Sequence, residues 1–444
     1  MRDIQRSIRF DRELCQGCMD CMRFCPTHAI RIRANKAVLI GELCIDCGEC
    51  VRLCKRNAIV PLTSSIGELS RFKYTIAMPS PVLYSQFGRD ASPALVLEAL
   101  KKAGFNDAYD VACASEAVSF AIEEFLKTPQ TKRPLISSFC PTIMRLIQIR
   151  YPNLIDHLIP IESPMEIAAR EAKRLKMKEL GLRENEIGAI YITPCPAKMI
   201  SIKHPPRKKH SFLDGAIGIS EVFPLLLQAL PFVDGSSRRE EIRGLGLGWP
   251  IFGGQISSLK AADCLAIGGL SDAIRIFDEI ENGKLKEIQF IECHSCPTAC
   301  VGGPLTVENP YLARGKVLKL VEKYGSKPCR EKEFYQQLYN KKYFSLPGKI
   351  NASPVIPLDT DITKAIEMMQ QKQKLFETLP KIDCGICGSP TCEIFAEDVV
   401  KGFSSEDDCI ILSMKKFEEI SGELFESAQK HSRKIQKKWG DGSS

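Results

Sequence analysis

The chain has 444 residues, too many for one comfortable core, and its length favours about three domains. Apolar residues make up 44% of it, yet the longest strongly apolar run, FPLLLQALPFV, holds a glutamine and two prolines and falls short of the roughly 20 residues a spanning helix needs, so no membrane segment is expected. A formal charge of +7 suggests a nucleic-acid partner only until the 20 cysteines are taken into account.

The N-terminus, MRDIQRSIRF, reaches the first cysteine without an apolar segment; it does not read as a secretory signal, and a cytoplasmic location is expected. Thiols in that compartment stay reduced, so cysteine at this density points to metal rather than to a disulfide scaffold. Residues 15 to 30, CQGCMDCMRFCPTHAI, and 44 to 59, CIDCGECVRLCKRNAI, repeat one unit at a period of 29. Each reads C-x2-C-x2-C-x3-C. Three closely spaced thiolates on a turning loop can take three corners of an iron-sulfur cubane, while the fourth cysteine crosses to the neighbouring cluster. The expected sets are Cys15, Cys18, Cys21 with Cys54, and Cys44, Cys47, Cys50 with Cys25. Zinc is the alternative, although structural zinc sites pair two short knuckles rather than running four cysteines in series. Residues 1–62 resemble bacterial two-cluster ferredoxins, which implies a small α+β domain; Lys55 stands where the first repeat has Pro26.

Residues 63–344 alternate apolar runs such as YTIAM, PLISSF, GAIYITP and KEIQFIEC with helical stretches such as ASPALVLEALKKAG and SPMEIAAREAKRLKMKELG. That alternation predicts an α/β domain with a largely parallel sheet, in which functional residues collect after the strand ends. Cys140 follows PLISSF, Cys195 follows AIYITP, and Cys296 and Cys300 follow IQFIEC. Taken alone, Cys140 would read as a small buried hydrophobe. Together the four thiols leave three strand ends in positions that could converge, and four is what one cubane requires.

The segments SSFCP, TPCPAK and ECHSCPTACVGGP, with AMPSPVLYSQFG upstream, resemble the motifs of the iron-iron hydrogenases, and the resemblance covers roughly residues 75–315. It implies a hydrogenase domain of parallel-sheet lobes and an H-cluster: a [4Fe–4S] cubane held by Cys140, Cys195, Cys296 and Cys300, joined through Cys300 to a two-iron unit with carbonyl, cyanide and azadithiolate ligands. It also implies Lys198 and Ser80, beside Pro79, as hydrogen-bond donors to that unit, dihydrogen and protons as substrates, a ferredoxin-like electron partner, and maturation proteins. The chain departs from the family's productive members at several places. Phe139 stands where they have a proton-relaying cysteine, and Ser201 where they have a glutamate. Ile122 and Phe125 fall near expected carboxylates, leaving Glu116, Glu123 and Glu124 as candidates, and Thr193 and His294 replace sulfur-bearing residues. Phenylalanine neither donates nor accepts a proton, so slow turnover and a hydrogen- or redox-sensing role are expected, similar to the sensory groups of the family. The alternative is a non-catalytic iron-sulfur electron relay that lacks the two-iron unit.

Residues 345–380 read as a proline-rich linker and a helix, followed by a four-cysteine module over 381–410. Cys384, Cys387, Cys392 and Cys409 are spaced C-x2-C-x4-C-x16-C and suit a third accessory [4Fe–4S] group, with zinc as the alternative. The segment resembles the cluster module of some membrane redox complexes and corrinoid proteins. Over 411–444 a helix carries Met414, Phe417, Leu424, Ala428 and Ile435 at near-heptad spacing, interrupted by Ser421 and His431. That face suits a homodimer seam, a regulatory partner, or packing against its own module. Each oxidised four-thiolate cubane carries about −2, so four of them bring the molecule near neutrality and remove the argument for nucleic acid. On that basis KHPPRKKH (203–210) is expected to be a solvated loop, GLGLGWPIFGG (244–254) a turn, and Cys113, Cys264, Cys293 and Cys329 structural thiols, with Cys293 a candidate stand-in relay beside His294.

Overall fold

The computed structural model describes residues 6–88, 91–129, 132–233, 243–346, 348–353 and 357–440, with side chains as far as 434. Pro347 and residues 354–356 of the expected linker, and the side chain of Ile435, lie outside the described residues. Contacts divide the chain into two compact units, Met1–Asp11 with Leu43–Val355 and Arg12–Glu42 with Ile356–Ser444. The division passes between the two cysteine repeats, not after residue 62.

In chain order the strands are β1 (Ile8–Phe10), β2 (Ile30–Arg33), β3 (Lys36–Leu39), β4 (Ile59–Pro61), β5 (Tyr74–Pro79), β6 (Asp107–Ala108), β7 (Leu135–Ile136), β8 (Ile187–Thr193), β9 (Gly215–Gly218), β10 (Cys264–Gly268) and β11 (Phe290–His294). The first unit is α/β. Its larger sheet runs β6-β5-β8-β9 and its smaller one β10-β11-β7, all pairs parallel, while β1 and β4 form a separate antiparallel pair. All seven residues of β8, IGAIYIT, are buried, as expected of a strand covered on both faces. Ala189 and Tyr191 pack with the helices Ala112–Lys127 and Pro164–Leu180, whereas Ile190 and Ile192 pack with Pro93–Lys102 and Ile219–Ala229. Alternation along the strand thus assigns one core to each face.

The expected loop 203–210 is a mostly exposed run of turns, tied down where Lys208 pairs with Glu162 (2.6 Å) and with the buried Glu166 (2.8 Å) and where Arg207 donates to the carbonyl of Leu158 at 3.1 Å. One expectation fails in this unit. Cys113 and Cys329 are not separate thiols but a disulfide, with Cα atoms 5.6 Å apart across 216 residues of sequence. Sequence spacing carried no hint of either pairing.

The second unit holds the hairpin β2–β3 and the helices Asp20–Arg23, Ile362–Thr378, Cys392–Val400 and Ile410–Gly440. Its apolar core gathers Leu375, Leu379, Phe395, Ala396 and Leu412 around Cys392 and Cys409. The hairpin is fixed by charge: Arg31 Nε and Nη2 donate to Asp398 at 2.6 and 3.1 Å, and Arg33 Nη2 donates to the same carboxylate at 2.8 Å. Beyond Leu412 the last helix projects exposed Met414, Phe417, Ile420, Leu424 and Phe425. No helix among the described residues is long and apolar enough to cross a membrane.

Candidate metal centre

In three of the four ligand positions the cysteine is followed by proline, and proline at a helix start costs no hydrogen bond while presetting φ. Cys140 is accordingly the N-cap of Pro141–Arg150, directly beyond β7. Cys195 lies between β8 and Ala197–Lys203, where Thr193 fixes it from both sides. The Thr193 hydroxyl donates to the Cys195 carbonyl (2.8 Å) and accepts from the Cys195 amide (3.2 Å). Cys296 and Cys300 follow β11, the second in a short turn that begins with Ala299 at φ 57°. All four thiols line one cavity. Among the described residues no three His, Cys, Asp or Glu side chains gather tightly enough for a single metal ion. The sulfurs surround a larger space instead.

Burial pushes the Cys195, Cys296 and Cys300 thiols up, Cys296 to about 12, and the neighbouring sulfurs of the set push each of them further. Four thiolates crowded in a dry cavity without a compensating cation are unfavourable, so the donor set fits a polynuclear cationic group that holds them deprotonated. Ser295 was not foreseen. It accepts from Cys140 Sγ at 3.4 Å and lies 4.0 Å from Cys296 Sγ.

Lys198 and Ser80 also line the cavity. The Lys198 ammonium lies 5.6 Å from the centre of the Tyr191 ring. Burial opposes its charge, but Tyr191 and the Cys300, Cys195 and Cys140 sulfurs outweigh it and raise its pKa. Among the described residues no carboxylate lies within ion-pair distance of this lysine. Pro79 ends β5 outside the cavity lining, and Ser201 turns away, its hydroxyl donating to the Lys198 carbonyl at 2.8 Å.

His294 borders the cavity, with Nδ1 4.0 Å from Cys300 Sγ. Its Nε2 lies 2.8 Å from Glu292 Oε1, and the carboxylate of Glu292, fully buried, also accepts from the amides of Gly253 and Ile256, both at 3.0 Å. The two amides fix that carboxylate, which in turn holds the ring beside the thiol. Sequence reading missed Glu292, which stands two places before His294 and therefore on the same face of β11. Cys293 faces the other way, into the core around Ile136, Ile143 and Ile291. Burial, then Cys140 and Glu292, push its thiol well up, and it is not among the residues that line the cavity.

Phe139 lines the cavity and packs on Trp249, ring centres 5.1 Å apart. Trp249 comes from the glycine-rich segment expected to be a mere turn, and its indole Nε1 donates to Ser119 at 2.7 Å. That segment needs its glycines: a Cβ on Gly246 would lie 1.9 Å from the Ala112 carbonyl. No carboxylate lines this wall among the described residues. Glu116 instead accepts from the Cys329 amide (2.9 Å) and the Tyr335 hydroxyl (3.1 Å), and Glu123 and Glu124 pair with Lys127.

The two N-terminal repeats share their backbone geometry. Gly17 and Asp46, Met19 and Gly48, and His28 and Asn57 occupy equivalent places 29 residues apart, all with left-handed φ between 51° and 74°. Each repeat also returns an amide to its last sulfur, Ala29 to Cys25 at 3.2 Å and Ala58 to Cys54 at 3.3 Å. Such N–H···S bonds stabilise cluster-bound thiolates and raise cluster potentials. In the first unit, Cys47 reaches the cavity and Arg52 donates to the carbonyl of Gly302, next but one after Cys300, at 2.5 Å. In the second unit, Cys384, Cys387, Cys392 and Cys409 all line a hollow with about 330 Å³ free of protein atoms, closed by Leu379, Phe395 and Ile410. Burial raises the Cys387 thiol, and Cys409, Cys384 and Cys392 add to it. Four mutually repelling thiols about one apolar hollow again fit a cationic cluster.

Residues 73–230 match the family model "Iron only hydrogenase large subunit, C-terminal domain", residues 7–55 a "4Fe-4S dicluster domain", and residues 379–411 an Fe-S cluster model. The periplasmic [Fe] hydrogenase large subunit of Nitratidesulfovibrio vulgaris is 28% identical over 227 residues, 47% of this chain and 54% of the relative. Iron hydrogenase 1 of Clostridium pasteurianum is 22% identical over 328 residues, 61% of this chain and 56% of the relative. The chain thus spans little more than half the length of these relatives. Among solved structures, an [FeFe]-hydrogenase examined for oxygen inactivation aligns with a TM-score of 0.49 at 16% identity, covering 64% of this chain and 95% of that one. An [FeFe]-hydrogenase from Chlamydomonas reinhardtii aligns at 0.45 and 15% identity, with the same coverage.

Proposed function

We propose, from the premise that this chain is iron-iron hydrogenase-like, that it interconverts dihydrogen with protons and electrons slowly at an H-cluster and works as a hydrogen or redox sensor. The observation that carries the reading is the single cavity lined by Cys140, Cys195, Cys296, Cys300 and Lys198. Those thiols would hold the cubane, Cys300 being the one shared with the two-iron unit, and three accessory cubanes would be held by the eight cysteines of the two N-terminal repeats and by Cys384, Cys387, Cys392 with Cys409. When bound, the H-cluster supplies the iron that engages dihydrogen and the cubane that passes electrons. The chain's own residues do the rest. Lys198 and Ser80 donate to anionic ligands, and Glu292 orients His294 beside Cys300. Phe139 and Trp249 keep water and protons from one wall. The exposed Met414, Phe417 and Leu424 ridge serves self-association or a regulatory partner, and electrons come and go through a ferredoxin-like protein.

The test is infrared spectroscopy of the protein after maturation, under argon and then hydrogen. Carbonyl and cyanide bands that shift under hydrogen, with turnover far below that of bulk hydrogenases, are the expected result. Missing bands in a protein that holds all four cubanes would favour the relay reading and overturn this one. A positioned acid or base is worth about 10²- to 10⁴-fold in rate. Phe139→Cys is nevertheless expected to raise turnover by less than about tenfold, because the next group on that wall is Trp249, and Glu116 is engaged elsewhere. A hundredfold gain would show a proton path running through other groups.

A further inference from the structure

We infer that the C-terminal four-cysteine module exchanges single electrons directly with the iron-sulfur group of the first N-terminal repeat, so that this repeat is the module's immediate redox partner. The inference rests on the proposed reading that both segments hold clusters, and it adds the order in which they are connected.

The two segments, more than 360 residues apart in sequence, are built into one compact unit. The loop that carries Cys384 and Cys387 lies directly against the first repeat. Arg23, two residues after Cys21, donates through Nη2 to the carbonyl of Cys384 at 2.6 Å. Met22, next to Cys21 and fully buried, stands under Gly385, where a Cβ would come within 3.0 Å of its methyl carbon. Gly385 has φ 74°, so glycine serves both the turn and the close approach. From the hairpin, the Ile32 amide donates to the Gly388 carbonyl at 2.9 Å, and Arg33 Nη1 donates to the same oxygen at 2.8 Å. Arg33 also reaches the carbonyl of Cys387 at 3.4 Å.

Two cysteines of one proposed ligand set are therefore hydrogen-bonded, through their own backbones, to the segment that carries the other set. Electron tunnelling decays steeply with distance and is carried better by bonded and hydrogen-bonded atoms than across gaps, and this contact supplies such atoms. The Asp398 carboxylate holds the arrangement rigid, taking Arg31, Arg33 and the Ser389 hydroxyl (2.6 Å) at once. The step is a one-electron exchange in which one cluster is oxidised as the other is reduced, with no proton or bond transferred.

The test uses the full chain with its clusters loaded. Cys47→Ser removes the second-repeat cluster and leaves the two in question together with the cubane of the H-cluster. After dithionite reduction, its electron paramagnetic resonance spectrum should show signals split and broadened by spin coupling between the first-repeat and C-terminal clusters. The added change Cys387→Ser should abolish that splitting and leave the first-repeat signal narrow. Unsplit signals from the first-repeat and C-terminal clusters, with all three remaining cubanes accounted for by iron and sulfide content, would overturn the inference. A module that carries zinc or no iron fails at the earlier step, and metal analysis tells the two failures apart. Should the variants not fold, spin relaxation in the unaltered protein decides. The C-terminal signal should relax faster once the first-repeat cluster is reduced during a stepwise titration, and an unchanged rate sinks the proposal.

Discussion

Replacing Lys198 by methionine is expected to abolish carbonyl and cyanide infrared absorption while leaving the iron of all four cubanes in place. The exposed lining of the cavity is mostly apolar, Lys198 is the only lysine or arginine among its described lining residues, and Lys198 and Ser80 are the side chains we assign to the anionic ligands of the two-iron unit. An anion moved from water into such a space needs a charged hydrogen bond to replace its hydration. Leaving one partner of a buried charged pair unmatched costs about 2–5 kcal/mol. That corresponds to a roughly 30- to 3,000-fold loss in retention of the two-iron unit. Methionine nearly keeps the length and apolar stem of lysine while removing the ammonium that lies 5.6 Å from the centre of the Tyr191 ring. Cys140, Cys195, Cys296 and Cys300 are untouched, and the cubane should assemble as before. Full-intensity bands in Lys198→Met would remove this lysine from the ligand-binding role.

The cavity was largely legible in the sequence because its parts lie close to local signals. A cysteine placed after an apolar run and before a proline is almost obliged to sit where a parallel strand hands over to a helix, and Cys140 and Cys195 do so. The expectation of a blocked position at Phe139 came instead from the resemblance to the hydrogenase motifs. What escaped notice depends on partners distant in sequence. Glu292 matters because it meets the amides of Gly253 and Ile256, 39 and 36 residues away, and no local pattern marks a carboxylate that caps another segment's turn. Trp249 becomes a wall of the site only because Gly246 can press against the Ala112 carbonyl. The Cys113–Cys329 disulfide spans 216 residues, and pairing of that kind cannot be deduced from spacing. In the N-terminal repeats, Arg12–Glu42 packs with the C-terminal segment, whereas Leu43 onward packs with the α/β sheets. Internal symmetry recorded the common geometry of the loops, seen in the matched left-handed residues, and was silent about where each loop docks.

Asp398 is the residue on which that docking turns, and Asp398→Ala should destabilise the second unit by about 3–5 kcal/mol, the cost of breaking a buried ion pair from one side. Its side chain is 4% exposed and that of Arg31 7%, so neither charge finds enough water to replace its partner. Arg31 would retain the carbonyls of His28 and Ile30, which take Nη1, but Nε and Nη2 would lose their acceptor, and so would the Ser389 hydroxyl. Asp398→Asn keeps one acceptor oxygen and nearly the same volume, and should cost less than the alanine change because part of the hydrogen bonding remains. A surface ion pair would behave differently, at about 0–1 kcal/mol and with strong dependence on salt. Chemical denaturation followed by hydrogen exchange separates these cases. The amide of Ile32, which donates to Gly388, reports the seam directly and should lose protection in Asp398→Ala. The amide of Ile190, within β8 of the other unit, should keep it. If the alanine variant lost under about 1 kcal/mol and Ile32 stayed protected, the two arginines would be held by something other than this carboxylate, and the rigid seam proposed for electron exchange would lose its anchor.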